Sequence, residues 1–221
     1  MLERLHAAAD PSRLEGMARY GIRTEDALGV TVTELRLLAR PHRRDHGLAI
    51  ALWATGGHEA RILASMVEDP AEVSEDQMEA WVADLDSWDV CDQVCANLFD
   101  RTPFAFDKAA EWSARPQEFV RRAGLALMAC LAVHRKHEPD ERFERLLPSI
   151  VAAATDERNL VRKATSWALR QIGKRNHRLH ARAIETAERI GGIDDRSARW
   201  IARDVLRELR SDAIRGRLSR S

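Results

Sequence analysis

Apolar residues recur along this chain at the three- and four-residue spacing of helices, and no convincing stretch alternates as a half-buried strand does. Glycine and proline fall mostly between the periodic segments and divide the chain into roughly a dozen predicted helices. In the first half these helices are 33–39, 44–54, 59–67 and 75–85, with one or two more within 1–20. The β-leaning stretch 30–32 is too short to carry a sheet. The sequence therefore predicts an all-α fold.

The pattern of residues 86–99 predicts a helix with a distinctive flank. Its core stripe consists of residues at i, i+3, i+4 and i+7, namely Cys91, Val94, Cys95 and Leu98. Trp88 and Asp92 are one turn apart beside that stripe. An aromatic ring next to a carboxylate suits a site that packs against a ligand and stabilises positive charge. A half-buried tryptophan beside a solvated aspartate gives the same pattern, so both readings stay open.

A repeat with an offset of 41 residues links two later segments. Residues 119–123 (FVRRA) align with residues 160–164 (LVRKA), and each segment opens a long apolar helix. A weaker third copy is the pair Arg43-Arg44 ahead of residues 47–52. A period near 40 made of paired helices is typical of HEAT-type α-solenoids, in which helix pairs bury their apolar faces by stacking on neighbours. We expect one HEAT-like domain over residues 1–221.

Two helices near the end of the chain carry polar stripes. In helix 160–174 the expected core side consists of Leu160, Ala164, Ala168 and Gln171. Beside it runs a stripe without an acidic member, formed by Lys163, Trp167, Arg170 and Lys174. Helix 195–210 carries a row of arginines that Asp204 and Glu208 interrupt: Arg196, Arg199, Arg203, Arg207 and Arg210. Cations interleaved with an aromatic ring fit a groove that binds a phosphate backbone.

Charge is distributed unequally between the halves, although the formal net charge is zero. Residues 1–100 carry 9 basic and 19 acidic side chains, whereas residues 101–221 carry 26 and 16. This asymmetry favours a polyanionic partner for the second half, or two halves that attract each other. Three cysteines do not make a disulfide framework, and the start lacks a secretory signal, so a reducing cytoplasm is the expected location. No apolar run is long enough to predict membrane insertion.

Three motifs carry a family resemblance. They are residues 87–92 (SWDVCD), 119–123 (FVRRA) and 161–170 (VRKATSWALR). In their order and rough spacing they resemble the AlkD family of HEAT-like DNA alkylation repair glycosylases, over nearly the full chain. The family often has two adjacent tryptophans before the first acid, and here Ser87 occupies the earlier position.

The resemblance implies roles for individual residues. Asp92 would be the catalytic carboxylate, and Trp88 and Trp167 would pack against the deoxyribose of the damaged nucleotide. Arg122 would hold the DNA backbone. Together with the basic stripe, the predicted DNA contacts are Arg121, Arg122, Lys163, Arg170 and Lys174, with Arg203 and Arg207 as further candidates.

The implied chemistry is removal of N3- or N7-alkylated purines from double-stranded DNA. Alkylation makes the base cationic and a good leaving group, so the glycosidic bond breaks through a sugar cation resembling an oxocarbenium ion. One fixed carboxylate stabilises that cation and positions a water molecule, and no general acid is needed. The family is understood to act without turning the base into a deep pocket. We therefore expect a monomer that works without a cofactor.

Other functions remain open. One alternative is a non-enzymatic relative that binds damaged or branched DNA, and Asp92 argues against it because a pure binder has no reason to hold an acid in a phosphate groove. A second alternative is a HEAT-type scaffold for protein partners, against which stand the lysines, arginines and tryptophans of the second half. A metal site is not expected, since Cys91 and Cys95 have no second well-placed Cys/His pair. The remaining tryptophans, Trp53, Trp81, Trp112 and Trp200, are interpreted as core or edge packing.

Overall fold

The computed structural model of the protein describes residues 1–219, in which all regular secondary structure is helical. This confirms the predicted all-α fold class. The chain divides into two compact units, Met1–Thr102 and Pro103–Ser221. A single domain over the whole chain stays a prediction.

Unit 1 consists of seven α-helices and three short 3-10 turns. The helices are α1 Leu2–Ala7, α2 Leu14–Arg19, α3 Val32–Ala39, α4 His46–Trp53, α5 His58–Val67, α6 Glu75–Ala83 and α7 Trp88–Asn97. The turns are Pro11–Arg13, Arg40–His42 and Phe99–Arg101. Each helix predicted in this half is present, with ends that differ by about two residues. The β-leaning stretch instead ends in a helix cap, because Thr31 and Glu34 form a reciprocal capping box at the start of α3.

Helix α5 is the centre of unit 1 and packs against α3, α4 and α7. Near its start the buried carboxylate of Glu59 accepts backbone N–H groups of Leu28, Gly29 and Val30. Gly29 has a φ of +77°, and a Cβ there would lie 2.2 Å from the carbonyl oxygen of Asp10. Only glycine fits this close turn. The hydrogen bonds to Glu59 attach the segment that leads into α3 to helix α5.

The tryptophan interpretation is confirmed for the core. Trp53 and Trp81 stack with ring centroids 4.0 Å apart, and Trp53 Nε1 donates to Asp84 Oδ2 at 2.9 Å. Both side chains are buried, as is Trp112 in unit 2. Burial of a ring with its N–H satisfied is the usual arrangement of a structural tryptophan.

Unit 2 consists of eight helices as far as residue 219. They are α8 Ala105–Ser113, α9 Glu118–His134, α10 Asp140–Glu144, α11 Leu147–Ala152, α12 Asn159–Gly173, α13 His177–Gly191, α14 Arg196–Leu209 and α15 Asp212–Leu218. The aligned segments 119–123 and 160–164 lie at the starts of α9 and α12, which pack directly against each other. The repeat therefore marks equivalent helices of neighbouring pairs.

The packing of α8 against α9 depends on Gly124. A Cβ at this position would lie 2.4 Å from the backbone nitrogen of Ser113 and 2.9 Å from the carbonyl oxygen of Ala109. These atoms belong to the backbone of α8 and cannot rotate away. Gly124 thus permits the close approach of the two helices.

The core face predicted for α12 is partly wrong. Ala164 and Ala168 are buried as predicted, but Leu160 and Gln171 are only half-buried. Further positions that are completely or almost completely buried are Val161, Thr165, Leu169 and Ile172. The reason is that α12 contacts α9, α11, α13 and α14, so it is covered over a broad front and not along one stripe.

Candidate functional site

Trp88 and Asp92 lie at the start of α7, one turn apart. Both residues are half-buried, at the border between the core face and the surface of the helix. The predicted core stripe is confirmed, because all four of its members are buried: Cys91, Val94, Cys95 and Leu98. Burial of that stripe fixes the rotation of α7 and so places the aromatic ring and the carboxylate along one edge.

A buried ion pair holds the first turn of α7. His58 Nε2, at the start of α5, lies 2.9 Å from Asp89 Oδ2, and Ser87 Oγ donates to Asp89 Oδ1 at 2.5 Å. Burial alone would lower the pKa of His58, but its hydrogen bond to Asp89 and the charge of that carboxylate outweigh burial and raise the pKa. Burial would likewise raise the pKa of Asp89, but the hydrogen bond and charge of His58 outweigh it and lower the pKa. Both shifts favour the charged forms of the two side chains.

Two contacts join residues 20–23 to the same turn. Trp88 Nε1 donates to the carbonyl oxygen of Tyr20 at 3.1 Å. Arg23 Nη1 donates to Asp86 Oδ2 at 2.6 Å, just before the helix begins. The indole ring is thus oriented by a backbone acceptor from a segment far away in sequence.

In unit 2, Trp167 and Lys163 lie on α12. Lys163 is exposed, and Trp167 is half-buried. With the Gln171 amide oriented so that both of its polar atoms are satisfied, its oxygen accepts from Trp167 Nε1 at 3.1 Å. The same oxygen accepts from Lys174 Nζ at 3.2 Å. Gln171 therefore links two members of the predicted stripe, Trp167 and Lys174.

Helix α14 brings acidic side chains to that stripe, although α12 itself has no acidic residue. Arg170 forms ion pairs with Glu208 and, at 3.5 Å, with Asp204 Oδ2. Lys174 Nζ lies 2.7 Å from Glu208 Oε1. Burial would raise the pKa of Glu208, but these two cations outweigh it and lower the pKa. Two of the predicted DNA-binding cations are thus already paired.

Arg121 and Arg122 are also engaged within unit 2. Arg121 Nη1 lies 2.8 Å from Asp156 Oδ2, and its other nitrogens donate to carbonyl oxygens at the end of α8. Burial would raise the pKa of Asp156, but hydrogen bonds from Arg158 and Arg121 outweigh it and lower the pKa to about 2. Arg122 is 5% exposed and donates to the carbonyl oxygen of Leu160 at 2.7 Å. Arg122 therefore ties α9 to the start of α12, whereas Arg121 ties it to the end of α8 and to the loop before α12. Their DNA contacts stay a prediction.

A second group of basic side chains surrounds Trp200 on α14. The guanidinium carbon of Arg162 lies 4.7 Å from the centroid of the Trp200 ring. These two side chains line one surface depression with Arg196, Arg199 and Arg203. The arginine row of α14 was predicted, but its meeting with Arg162 was not. No sequence signal joins residues on two helices that are 38 positions apart.

Three arginines of the row form ion pairs in which the arginine itself is exposed. Arg207 pairs with Asp204, Arg210 pairs with Glu188, and Arg199 Nη1 lies 2.7 Å from Asp194 Oδ1. Exposed pairs of this kind contribute little to stability.

Residues 1–219 contain neither a group of metal ligands nor a helix able to span a membrane. Within residues 1–219, no three His, Cys, Asp or Glu side chains are grouped closely enough to hold a metal ion. In the same part of the chain, no helix is both long and apolar enough to cross a membrane.

Comparisons with known proteins agree with the resemblance. A family model described as DNA alkylation repair enzyme matches residues 1–209. A solved structure matches at a TM-score of 0.79 and 20% identity, covering 98% of this chain and 94% of the other. It is described as a new family of proteins related to the HEAT-like repeat DNA glycosylases with affinity for branched DNA structures. This similarity confirms the predicted HEAT-like fold.

Weaker matches are to repeat and engineered proteins. A designed armadillo repeat protein in complex with the peptide (KR)4 has a TM-score of 0.41 and 13% identity, covering 85% of this chain and 80% of the other. An engineered protein has a TM-score of 0.46 and 16% identity, covering 93% and 88%. No curated protein matches the sequence.

Proposed function

The chain belongs to the DNA alkylation repair enzyme family, and we propose that it is a DNA glycosylase acting on cationic N3- and N7-alkylpurines in duplex DNA. One observation carries the proposal. Asp92 lies one turn after Trp88 on a helix whose core face and first turn are both fixed. A carboxylate stabilises developing charge best when it does not have to move during the reaction.

Asp92 would act on the sugar. As the bond to an alkylated purine breaks, positive charge grows on the anomeric carbon and the ring oxygen. The Asp92 carboxylate stabilises that charge and holds a water molecule for attack, while the cationic base leaves with the bonding electrons as a neutral purine. Trp88 would cover the sugar with its half-buried ring and keep the carboxylate at its working distance.

Unit 2 would supply contacts to the DNA backbone. Lys163 is exposed, with no ion pair recorded for it within residues 1–219, so it is available to a phosphate. Arg170 and Lys174 would exchange Glu208 for phosphate when DNA binds. Since each phosphate contact releases counterions, affinity for duplex DNA should fall steeply with salt.

The deciding experiment is base release from methylated duplex DNA under single-turnover conditions with EDTA present. The wild type should release 7-methylguanine or 3-methyladenine and leave an abasic site. Asp92→Asn should bind DNA but lose roughly 100- to 1000-fold in rate, by analogy with the loss of an oxyanion-hole donor. Asp76→Asn is the matched control, because Asp76 is an exposed aspartate of unit 1 on α6. An Asp92→Asn protein as active as the wild type would show that the catalytic assignment is wrong.

A second candidate is a non-enzymatic binder of damaged or branched DNA. It is favoured by the solved structure with a TM-score of 0.79, whose family is described as having affinity for branched DNA structures. This candidate becomes the better one if neither the wild type nor Asp92→Asn releases base while both bind a four-way junction more tightly than a linear duplex.

A further inference from the structure

Four arginines of unit 2 converge on one tryptophan. Arg196, Arg199 and Arg203 lie on one face of α14 at i, i+3 and i+7, around Trp200. Arg162 reaches across from α12 and stacks over the Trp200 ring at 4.7 Å. We refer to Arg162, Arg196, Arg199, Trp200 and Arg203 as the Trp200 cluster.

The cluster has little internal neutralisation. Within residues 1–219, Arg162, Arg196 and Arg203 form no ion pair, and Arg162 Nη2 donates to the amide oxygen of Asn159 at 3.0 Å. Arg199 pairs with Asp194, whose side chain is fully exposed, so this contact exchanges readily with solvent or a ligand. Arg170 and Lys174 differ, because both are paired with the half-buried Glu208.

One feature of the cluster is unfavourable without a ligand. Like charges at i, i+3 and i+4 on a helix repel each other. An anion bound in the depression would offset the repulsion.

The side chains indicate the class of anion. Guanidinium groups present planar pairs of donors that match phosphate oxygens, and they remain charged at any physiological pH. From Arg196 to Arg203 the cluster extends along α14 by about 10 Å at 1.5 Å per residue. That length is enough for contacts to more than one phosphate of the same strand.

We propose that the Trp200 cluster binds consecutive phosphates of a DNA strand. This inference rests on the proposed DNA-binding function. It joins Arg203, already a candidate DNA contact, to Arg162, Arg196 and Arg199 at one site around Trp200. Trp200 acts as a positioning residue here, since the Arg162 guanidinium lies over its ring with the carbon 4.7 Å from the centroid.

The test compares two double variants that lose the same charge. Arg196→Ala/Arg203→Ala removes two members of the cluster. Arg145→Ala/Arg189→Ala removes two exposed arginines of unit 2 outside it, for which no ion pair is recorded in the described chain. The probe is a fluorescent duplex without lesions, titrated at several salt concentrations. All four residues are exposed, so thermal unfolding should change little in either variant.

The cluster variant should lose about tenfold in affinity for each arginine at low salt. The slope of log affinity against log salt should fall by about 0.9 for each phosphate contact that is lost. The control should stay within about twofold of the wild type. Arg162→Lys, which keeps the charge but not the planar stack, should bind more tightly than Arg162→Ala.

A measurement on the wild type adds an independent check. Phenylglyoxal modifies exposed arginines, and mass spectrometry locates the products. Duplex DNA should protect Arg196 and Arg203 but leave Arg145 and Arg189 reactive.

The outcomes separate this inference from the proposed function. If the wild type binds duplex DNA with strong salt dependence but the cluster variant matches the control, the inference is wrong and the DNA-binding function stands. If duplex DNA does not protect Arg196 and Arg203 from phenylglyoxal, the inference is likewise wrong and the DNA-binding function stands. If the cluster variant loses affinity for poly-glutamate while its duplex binding is unchanged, the cluster binds an acidic protein and not DNA, and the inference is wrong. A wild type that binds no duplex at low salt overturns both the proposed function and the inference.

Discussion

His58 Nε2 lies 2.9 Å from Asp89 Oδ2, and this contact fixes the helical turn that carries Trp88 and Asp92. Both partners are largely protected from water, with side-chain exposures of 6% and 18%. An ion pair in such surroundings is costly to break from one side, because the remaining charge loses its partner. The pair therefore links the stability of unit 1 to the geometry of the proposed catalytic edge.

Asp89→Asn should destabilise the protein by about 3 kcal/mol near pH 5.5. The raised pKa of His58 makes its contribution fully present below the unfolded value of 6.5, and it is lost as pH rises through the higher folded pKa. The lowered pKa of Asp89 makes its contribution present above 3.8, and it is lost as pH falls through the lower folded pKa. The difference between wild type and variant should be largest between pH 4 and 6.5, as measured by denaturant unfolding.

Asp76→Asn serves as the control for this pH dependence, because Asp76 is exposed and distant in sequence from the pair. It should shift stability only slightly at every pH. A constant difference between Asp89→Asn and wild type from pH 4 to pH 9 would contradict a charged His58–Asp89 pair.

Trp88→Ala should slow base release by less than the roughly 100- to 1000-fold loss expected for Asp92→Asn. The indole positions the substrate and supplies no charge. Trp88→Phe should lie between wild type and alanine, since it keeps a ring but loses the hydrogen bond to the Tyr20 carbonyl. Single-turnover rates with methylated duplex give the order. An alanine variant slower than Asp92→Asn would argue against Asp92 as the main source of rate enhancement.

Glu208→Gln should strengthen DNA binding. The carboxylate pairs with both Arg170 and Lys174 in the free protein. Removing its charge leaves Lys174 without an acidic partner in the described chain and leaves Arg170 with Asp204 alone, so both become more available to phosphate. We expect a several-fold gain in duplex affinity at low salt and a steeper salt dependence.

The control for this substitution is Glu185→Gln, which removes an exposed partner of Arg182 on α13. It should leave the salt dependence of binding nearly unchanged. Equal effects of the two substitutions would show that the Glu208 contacts do not compete with DNA.

Gly124→Ala should destabilise the protein by about 1–3 kcal/mol, because the added methyl group would overlap the α8 backbone at Ser113. Gly16→Ala is the matched comparison. Gly16 lies in helix α2, and a Cβ added there would meet nothing within 4 Å, so alanine at this position should be neutral or stabilising by up to about 1 kcal/mol. The measurement is the melting temperature of each variant. Similar melting temperatures for Gly124→Ala and Gly16→Ala would contradict the tight α8–α9 contact.

Local rules were enough for much of the helical architecture. The apolar spacing and the glycine and proline breaks located α3 to α7 within about two residues, and the periodic stripe of α7 identified its buried face correctly. These features depend on residues within one or two turns of each other, so the sequence alone contains them. The same locality explains why the spacing of Trp88 and Asp92 is sufficient to place both residues on one helix edge.

Contacts between distant segments could not be found in this way. The sequence determined that α12 carries Lys163, Trp167, Arg170 and Lys174 on neighbouring turns. Only tertiary packing decided that Glu208 of α14 pairs with two of them and that Arg162 meets Trp200. The physical reason is that helix periodicity fixes which side chains share a face, whereas the partner of that face depends on how the helices stack.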